Sequence, residues 1–394
     1  MEILANLLNS NGANITVLLN NITALVQNDG WKNLIMMAIG GILIYLAIAK
    51  DMEPTLLLPM GFGTIIVNAV ACVADATGAI SGYEGALTTL FQAGIANELF
   101  PLILFIGIGA MIDFGPILTN PKLMIFGAAA QFGIFMTFAL ASLFFPLEVA
   151  ASIGIIGAAD GPTAIVVAQK LITDPNYLHV TAAIMVAAYS YMALVPIIQP
   201  PVIKALTTKK ERLIRMPYRG KQVSRLTKIL FPIIITIVGG VVAPESIDLI
   251  GFLMFGNLIR ECGVLNSLSD TASKVLANLI TIFLGITIAT QMTGAKFLQL
   301  DTLLILGLGL FAFVFDTAGG VLFAKFLNLF LKEKINPMIG ASGISAFPMS
   351  GRVVHKMGLK EDSQNHLLMQ SIGVNVSGQI ASVIAGGMIL AFFA

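Results

Sequence analysis

Charge is what this sequence has least of: Asp, Glu, Lys and Arg make up 11% of its 394 residues. Soluble domains carry about 25%, so a fold that faces water on all sides is excluded. Cysteine and histidine are scarce too. Cys72 and Cys262 stand apart with no CxxC, and His179, His355 and His366 are scattered, so no transition-metal cage is legible. The net charge of +1 supplies no basic field for nucleic acid outside one loop, and no nucleic-acid partner is expected. Residues 1–32 hold Glu2, Asp29 and Lys32 but no basic stretch ahead of a long apolar run. No secretory signal is read there, and the first membrane helix is expected to act as its own insertion signal.

What is abundant is apolar surface: 57% of the chain is hydrophobic and the mean hydropathy is +0.91. The solvent implied is a lipid bilayer, and continuous, non-alternating runs predict helices rather than a β-barrel. Apolar segments fall at 33–49, 55–75, 99–118, 123–145, 148–171 and 178–205, and again at 227–244, 246–263, 275–293, 302–331, 335–357 and 366–392. Residues 13–28 are too short and Asn-rich to span, and fit an interfacial helix. The expected organisation is an N-terminal extramembrane segment 1–32, a membrane repeat 33–205, a basic loop 206–226 and a second repeat 227–394. Internal similarity supports that division. Gly154, Gly157, Pro162 and Lys170 match Gly340, Gly343, Pro348 and Lys356 at one constant offset, which also carries Gly133 onto Gly319 and Tyr189 onto Asn375. PMGFGTII resembles FLMFGNLI, aligning Gly63 with Gly256.

The fifth segment of each repeat, GIIGAADGP and GASGISAFPMSG, is interrupted by Gly and Pro. Such interruptions break a helix and free backbone groups at membrane depth. If both segments are re-entrant hairpins and the basic 206–228 loop is cytoplasmic, every Lys and Arg except Lys32, Lys170 and Lys296 falls inside, the strongest positive-inside bias on offer. The fold class is therefore all-α and polytopic, two inverted-topology repeats of about five transmembrane helices plus one broken hairpin each. Both termini are placed outside, with the Asp160 hairpin entering from outside and the Arg352 hairpin from the cytoplasm.

Asp160 is the one acid between Val149 and Thr173. An intramembrane carboxylate is costly and marks an ion or proton site; carboxylate and freed carbonyls suit Na+, a desolvated acid suits H+. The competing reading is a half-helix cap acting through Thr163. The second broken segment offers Asn336, Ser342, Ser345, Ser350 and Arg352. Arg352 either receives an anion or anchors the hairpin at the lipid phosphates. Tyr189, Ser190 and Tyr191 answer Asn375, Val376 and Ser377 in the last segments, and Asn375 is read as lining the site. Asp316 is a second ionic group or a packing residue. Asp113, Glu148 and Asp301 read as interface residues, and Gly107-Ile108-Gly109 lacks the rest of a dinucleotide loop.

The stretches LLLPMGFGTIIVN, GIIGAADGPTAI, VAAYSYMALVPIIQPP, FLMFGNLIREC, INPMIGASGISAFPMSGRVV and NVSGQIASVIAGG are similar to the membrane-embedded β subunits of biotin-dependent, sodium-pumping decarboxylases, over essentially residues 33–392. These act on oxaloacetate, methylmalonyl-CoA, glutaconyl-CoA or malonate. The resemblance implies a translocase subunit that decarboxylates carboxybiotin and couples this to Na+ export with uptake of a proton. Carried over by motif, Asp160, Tyr191 and Arg352 are expected to be catalytic, with Tyr189 the alternative to Tyr191. Asn336, Gly340, Ser345 and Arg352 are expected to border carboxybiotin, and Asp160, Asn375 and Ser345 to hold Na+. Lys356-Met357 is the nearest approach to a biotin-acceptor sequence, so biotin is expected on a partner carrier protein. The implied partners are a soluble carboxyltransferase α subunit, that carrier, a small single-helix γ or δ subunit and further copies of the β chain. The implied location is the bacterial cytoplasmic (inner) membrane. The basic loop is a docking or lipid-facing surface, or simply a positive-inside marker. The rival class is a Na+-coupled secondary carboxylate carrier on the same plan. Which acid feeds the complex is not legible.

Overall fold

The computed structural model describes residues 30–51, 54–77, 85–217 and 223–393. The interfacial helix expected at 13–28, and Arg219 and Lys221 of the basic loop, lie outside the described residues. Everything regular within them is helical, as hydrocarbon requires of a backbone that must satisfy its own polar groups. Seven helices among the described residues are long and apolar enough to cross a membrane: Gly30–Lys50, Pro121–Ala141, Leu178–Leu206, Arg225–Val242, Asn266–Gln291, Leu300–Phe330 and Leu368–Phe393. Their apolar residues face outward as well as inward. Val241 is 78% exposed, and on Arg225–Val242 the buried residues are Pro232 and Gly239, which is a lipid-facing helix.

The chain forms two compact units. The first comprises Met1–Ala93 and Ile282–Leu303. Within it Gly30–Lys50 and Pro54–Thr77 cross at a pair of glycines: a methyl on Gly40 would stand 2.7 Å from the Gly61 carbonyl oxygen. Gly63 is pressed against Ala289 and the Ile286 carbonyl. Buried Asn68 then pins the Ala289–Gln291 turn, donating to the Met292 carbonyl oxygen at 2.7 Å and accepting from the Gly294 amide at 2.9 Å.

The second unit comprises Gly94–Thr281 and Leu304–Ala394. Here Leu99–Met111 crosses Ile247–Glu261 through Gly109 and Gly256, whose missing side chains admit the Leu253 and Ile106 carbonyls. Gly63 and Gly256, aligned by the internal similarity, thus do the same job: each lets two helix backbones approach closely. The segment read as 99–118 is interrupted at Ile112, where Asn257 Nδ2 donates to the freed carbonyl at 2.9 Å. The run read as 123–145 is likewise divided, Met124–Ala130 and Phe132–Ala141 being separated by Gln131. At the centre of this unit lie the two broken segments and the Leu368–Phe393 helix, hereafter the closing helix. Residues 149–168 and 336–346 are buried without exception.

Candidate ion site at the broken segments

The first broken segment starts as Leu147–Gly154 and tightens into a 3-10 turn, Ile155–Ala158. Ala159 then adopts left-handed backbone (φ 53°, ψ 40°) and Asp160 is extended. Helix resumes at Gly161–Leu171 with Pro162 in its first turn, where the missing N–H costs nothing. Two glycines are demanded by contact. Gly157 rests on Gly133 and Ile134, and a methyl on Gly161 would meet the Tyr189 ring at 2.6 Å.

This turn delivers Asp160 to the protein interior, 2% exposed. Its Oδ2 accepts three hydrogen bonds, from Thr163 Oγ1 at 2.8 Å, Ser382 Oγ at 2.9 Å and Gln379 Nε2 at 3.0 Å. Among the described residues no Lys, Arg or His pairs with it. Three neutral donors soften the burial of the acid but leave its charge uncompensated.

The second broken segment begins at Asn336, which caps the 3-10 helix Pro337–Gly343 by accepting from Met338 N at 3.1 Å. Beyond Gly343 the chain is extended at Ile344, turns at a cis Phe347-Pro348 bond and resumes as helix Met349–Glu361. The two breaks touch: Ser345 N donates to the Ala158 carbonyl oxygen at 3.0 Å. Ser345 Oγ donates to the Gly378 carbonyl at 3.0 Å, and Asn375 Nδ2 to the Ile344 carbonyl at 2.6 Å. Gln199 Nε2 takes the Ala341 carbonyl at 2.8 Å. Backbone groups freed by the breaks are therefore held by neighbouring helices, the condition for irregular chain at membrane depth. Asn375 Oδ1 and the Tyr189 hydroxyl are buried without a hydrogen-bond partner.

Of the residues singled out from sequence, Asp160, Ser345 and Asn375 are brought together by this web. The others are placed elsewhere. Tyr191 donates to the Leu306 carbonyl and lays its ring over Gly309 of Leu300–Phe330, whereas Tyr189 is the tyrosine packed against the residue next to Asp160. Gly340 meets Gly320 in a close backbone crossing, a methyl on either standing about 2 Å from the other's carbonyl oxygen. Arg352 is exposed. Asn336 Nδ2 donates to the carbonyls of Arg212 and Ile214, both at 2.9 Å.

Those carbonyls belong to the basic loop, which is a strap rather than a free surface. Arg212 pairs with Glu361 at 2.7 Å, Arg215 with Asp362 at 2.6 Å and Lys325 with Glu211 at 3.2 Å. Lys204, Lys209 and Lys210 remain exposed. Beside the strap lies a cavity of about 460 Å³ bordered by Arg215, His355 and His366.

Sequence reading missed Gln379 and Ser382. The signal that finds them is register: Asn375, Gln379 and Ser382 follow at i, i+4 and i+7 on the closing helix, one stripe facing one partner.

Comparison with known proteins gives the same direction throughout. A family model described as the Na+-transporting oxaloacetate decarboxylase beta subunit matches residues 32–393. The chain is 47% identical over 381 residues to the methylmalonyl-CoA decarboxylase subunit beta of Propionigenium modestum, covering 92% of this chain and 95% of that one. It is 43% identical, over an alignment 434 positions long, to the oxaloacetate decarboxylase beta chain of Klebsiella pneumoniae, covering 94% of this chain and 98% of that one.

Proposed function

We propose, from the premise that this chain belongs to the family of Na+-transporting decarboxylase beta subunits, that it releases CO2 from carboxybiotin presented by a partner carrier and couples that step to Na+ export. The observation that carries the reading is Asp160: an enclosed carboxyl held by three neutral donors and, among the described residues, by no cationic side chain. Such a group is stable either as an acid or with a bound monovalent cation, so Na+ and H+ compete for it.

Loss of CO2 from an N-carboxylated ureido nitrogen consumes one proton: the N–C bond breaks and an N–H bond forms. Na+ entering beside Asp160, with Asn375 Oδ1 and Ser345 as neighbouring oxygen donors, displaces the proton that this step requires. A dry site favours both events, because desolvation weakens the hold on a carboxylate that is about to leave as CO2. The cavity bordered by Arg215, His355 and His366 offers N–H donors to the N-carboxyl group on the strap side. That side is cytoplasmic by the positive-inside rule, and an inverted relation of the two repeats lets the paired breaks open to each face in turn.

The test is CO2 release and radioactive Na+ movement by the complete complex in proteoliposomes, with and without Na+. Na+-stimulated CO2 release coupled to Na+ movement, both lost in Asp160→Asn, is the expected result. Na+ movement driven by a carboxylate gradient without CO2 release would make the protein a carrier and sink the decarboxylase reading.

A further inference from the structure

Asp316 is a second acid that the helices enclose completely. It lies midway along Leu300–Phe330 at 0% exposure, and neither carboxyl oxygen has a hydrogen-bond partner. It faces the place where the run 121–141 is interrupted at Gln131. A methyl on Gly133 would stand 2.0 Å from Asp316 Oδ1 and 2.7 Å from the Ala312 carbonyl oxygen, so acid and carbonyl share the space that the glycine leaves. The amides of Gly133 and Ile134, in the first turn of Phe132–Ala141, face the carboxyl without reaching hydrogen-bond geometry, and Ile134 N donates instead to the Gln131 carbonyl oxygen at 3.1 Å.

Among the described residues no Lys, Arg or His pairs with the acid. The helices across 124–141 and the turns 155–158 and 337–343 carry no Asp, Glu, Lys, Arg or His. On its own helix the nearest charged residues are Asp301 and Lys325, several turns away in either direction, and Lys325 is engaged with Glu211. The nearest acid on a packed segment is Asp160, three residues beyond Gly157. An ionised carboxylate in such a place is far costlier than the neutral acid. The neutral acid has one proton to donate, and the Ala312 carbonyl one turn back, which borders the same space, is the type of acceptor that hydroxyl side chains use in membrane helices.

The same glycine links this acid to the ion site. A methyl on Gly157 would touch the Gly133 carbonyl carbon and Ile134 N at 3.1 Å and Ala312 Cβ at 3.3 Å. Both acids therefore lean on one backbone junction, a contiguous packed route between them.

We propose that Asp316 is a second proton-binding site of the membrane core, neutral in the packed arrangement, whose ionisation draws its carboxylate onto the Gly133 amide and moves the Gly157 turn that carries Asp160. The step is a proton release: the carboxyl O–H bond breaks and the proton passes to water admitted as the Gln131 interruption loosens. Gln131 Oε1, Thr137 Oγ1 and Thr317 Oγ1, all buried without a partner, supply oxygens on that path. The inference goes beyond the decarboxylase reading and does not require it.

The test is difference infrared spectroscopy of the complete complex in liposomes as pH is stepped, which reads protonated carboxyls directly. A carboxyl band retained in Asp160→Asn and lost in Asp316→Asn is expected. Asp316→Asn mimics the neutral acid in shape, and removes about a fivefold part of the change of Na+ affinity with pH, the lower end of ordinary coupling between sites. An unchanged band and pH profile in Asp316→Asn would overturn the proposal. So would a spectrum of Asp160→Asn with no protonated carboxyl left, which decides the matter even if Asp316→Asn fails to fold. Absent CO2 release with the Asp316 band intact would count against the decarboxylase reading alone.

Discussion

Gln379 Nε2 and Asp160 Oδ2 meet at 3.0 Å although 219 residues separate them in the chain. The bond fastens the closing helix to the first broken segment at the point where the acid is enclosed, and Ser382, one turn on, repeats it. A hydrogen bond to a charged group contributes about 1.5–3 kcal/mol. Gln379→Leu and Ser382→Ala are each expected to raise the Na+ concentration for half-maximal decarboxylation by roughly 10- to 100-fold. Titration of rate against Na+ reads this, and an unaltered half-saturation point in the double variant would separate both side chains from the ion site.

Gly378 is the neighbour of that contact and has no room for a side chain. A methyl there would stand 2.0 Å from the Gly343 carbonyl oxygen and 3.1 Å from that of Ile344. Gly378→Ala therefore pushes the closing helix off the second broken segment, at a cost of about 1–3 kcal/mol or more for an overpacked core. Thermal unfolding in detergent shows a lowered midpoint, with weakened Na+ binding in the same sample. A variant of full thermal stability would contradict the close crossing.

The two tyrosines part company on what their hydroxyls do. Tyr191 spends its hydroxyl on the Leu306 carbonyl, so Tyr191→Phe loses about 0.5–1.5 kcal/mol of stability. Tyr189 has a buried hydroxyl without a partner, so Tyr189→Phe leaves the unfolding midpoint where it was. Its effect appears in turnover alone if the hydroxyl beside Asp160 serves the reaction. Paired unfolding and rate measurements on both variants assign the functional tyrosine that the AYSYM motif leaves open.

The strap should answer to acid. The Arg215 guanidinium bonded to Asp362 holds that carboxyl below the usual carboxylate range. A depressed carboxylate contributes stability that is complete above its ordinary value, near pH 4, and is lost as pH falls through the lowered one. Limited proteolysis within 206–228 is therefore expected to stay constant from neutrality down to about pH 4 and to accelerate below it. Arg215→Gln moves the onset to higher pH; an onset indifferent to that change would show that the pair does not hold the strap.

Much of this architecture is legible in sequence because the bilayer leaves the backbone few choices. Apolar length marks the spans, and Gly and Pro at 154–162 and 340–348 mark the breaks, since both remove what a helix needs. The interruption at Gln131 is hidden: one amide within an apolar run, with no proline, reads as a continuous span. Asp160 announces itself as a lone acid. Gln379 and Ser382 do not, because an amide and a hydroxyl on an apolar helix look like ordinary interhelical glue. The strap is misleading for a different reason. A run of cations reads as a solvated face, and the acids that neutralise Arg212 and Arg215 are Glu361 and Asp362, far along the chain and near in space.

Chain order gives the Asp160 site a history as well as a geometry. A ribosome delivers the first broken segment to the bilayer long before the closing helix exists, so until Gln379 and Ser382 are made Asp160 has Thr163 as its sole donor among the three. The strap is laid down next, its Arg212 and Ile214 carbonyls waiting for Asn336. A nascent chain arrested before Leu368 would hold every membrane-embedded acid described here while lacking the helix whose Gln379 and Ser382 make one of them tolerable.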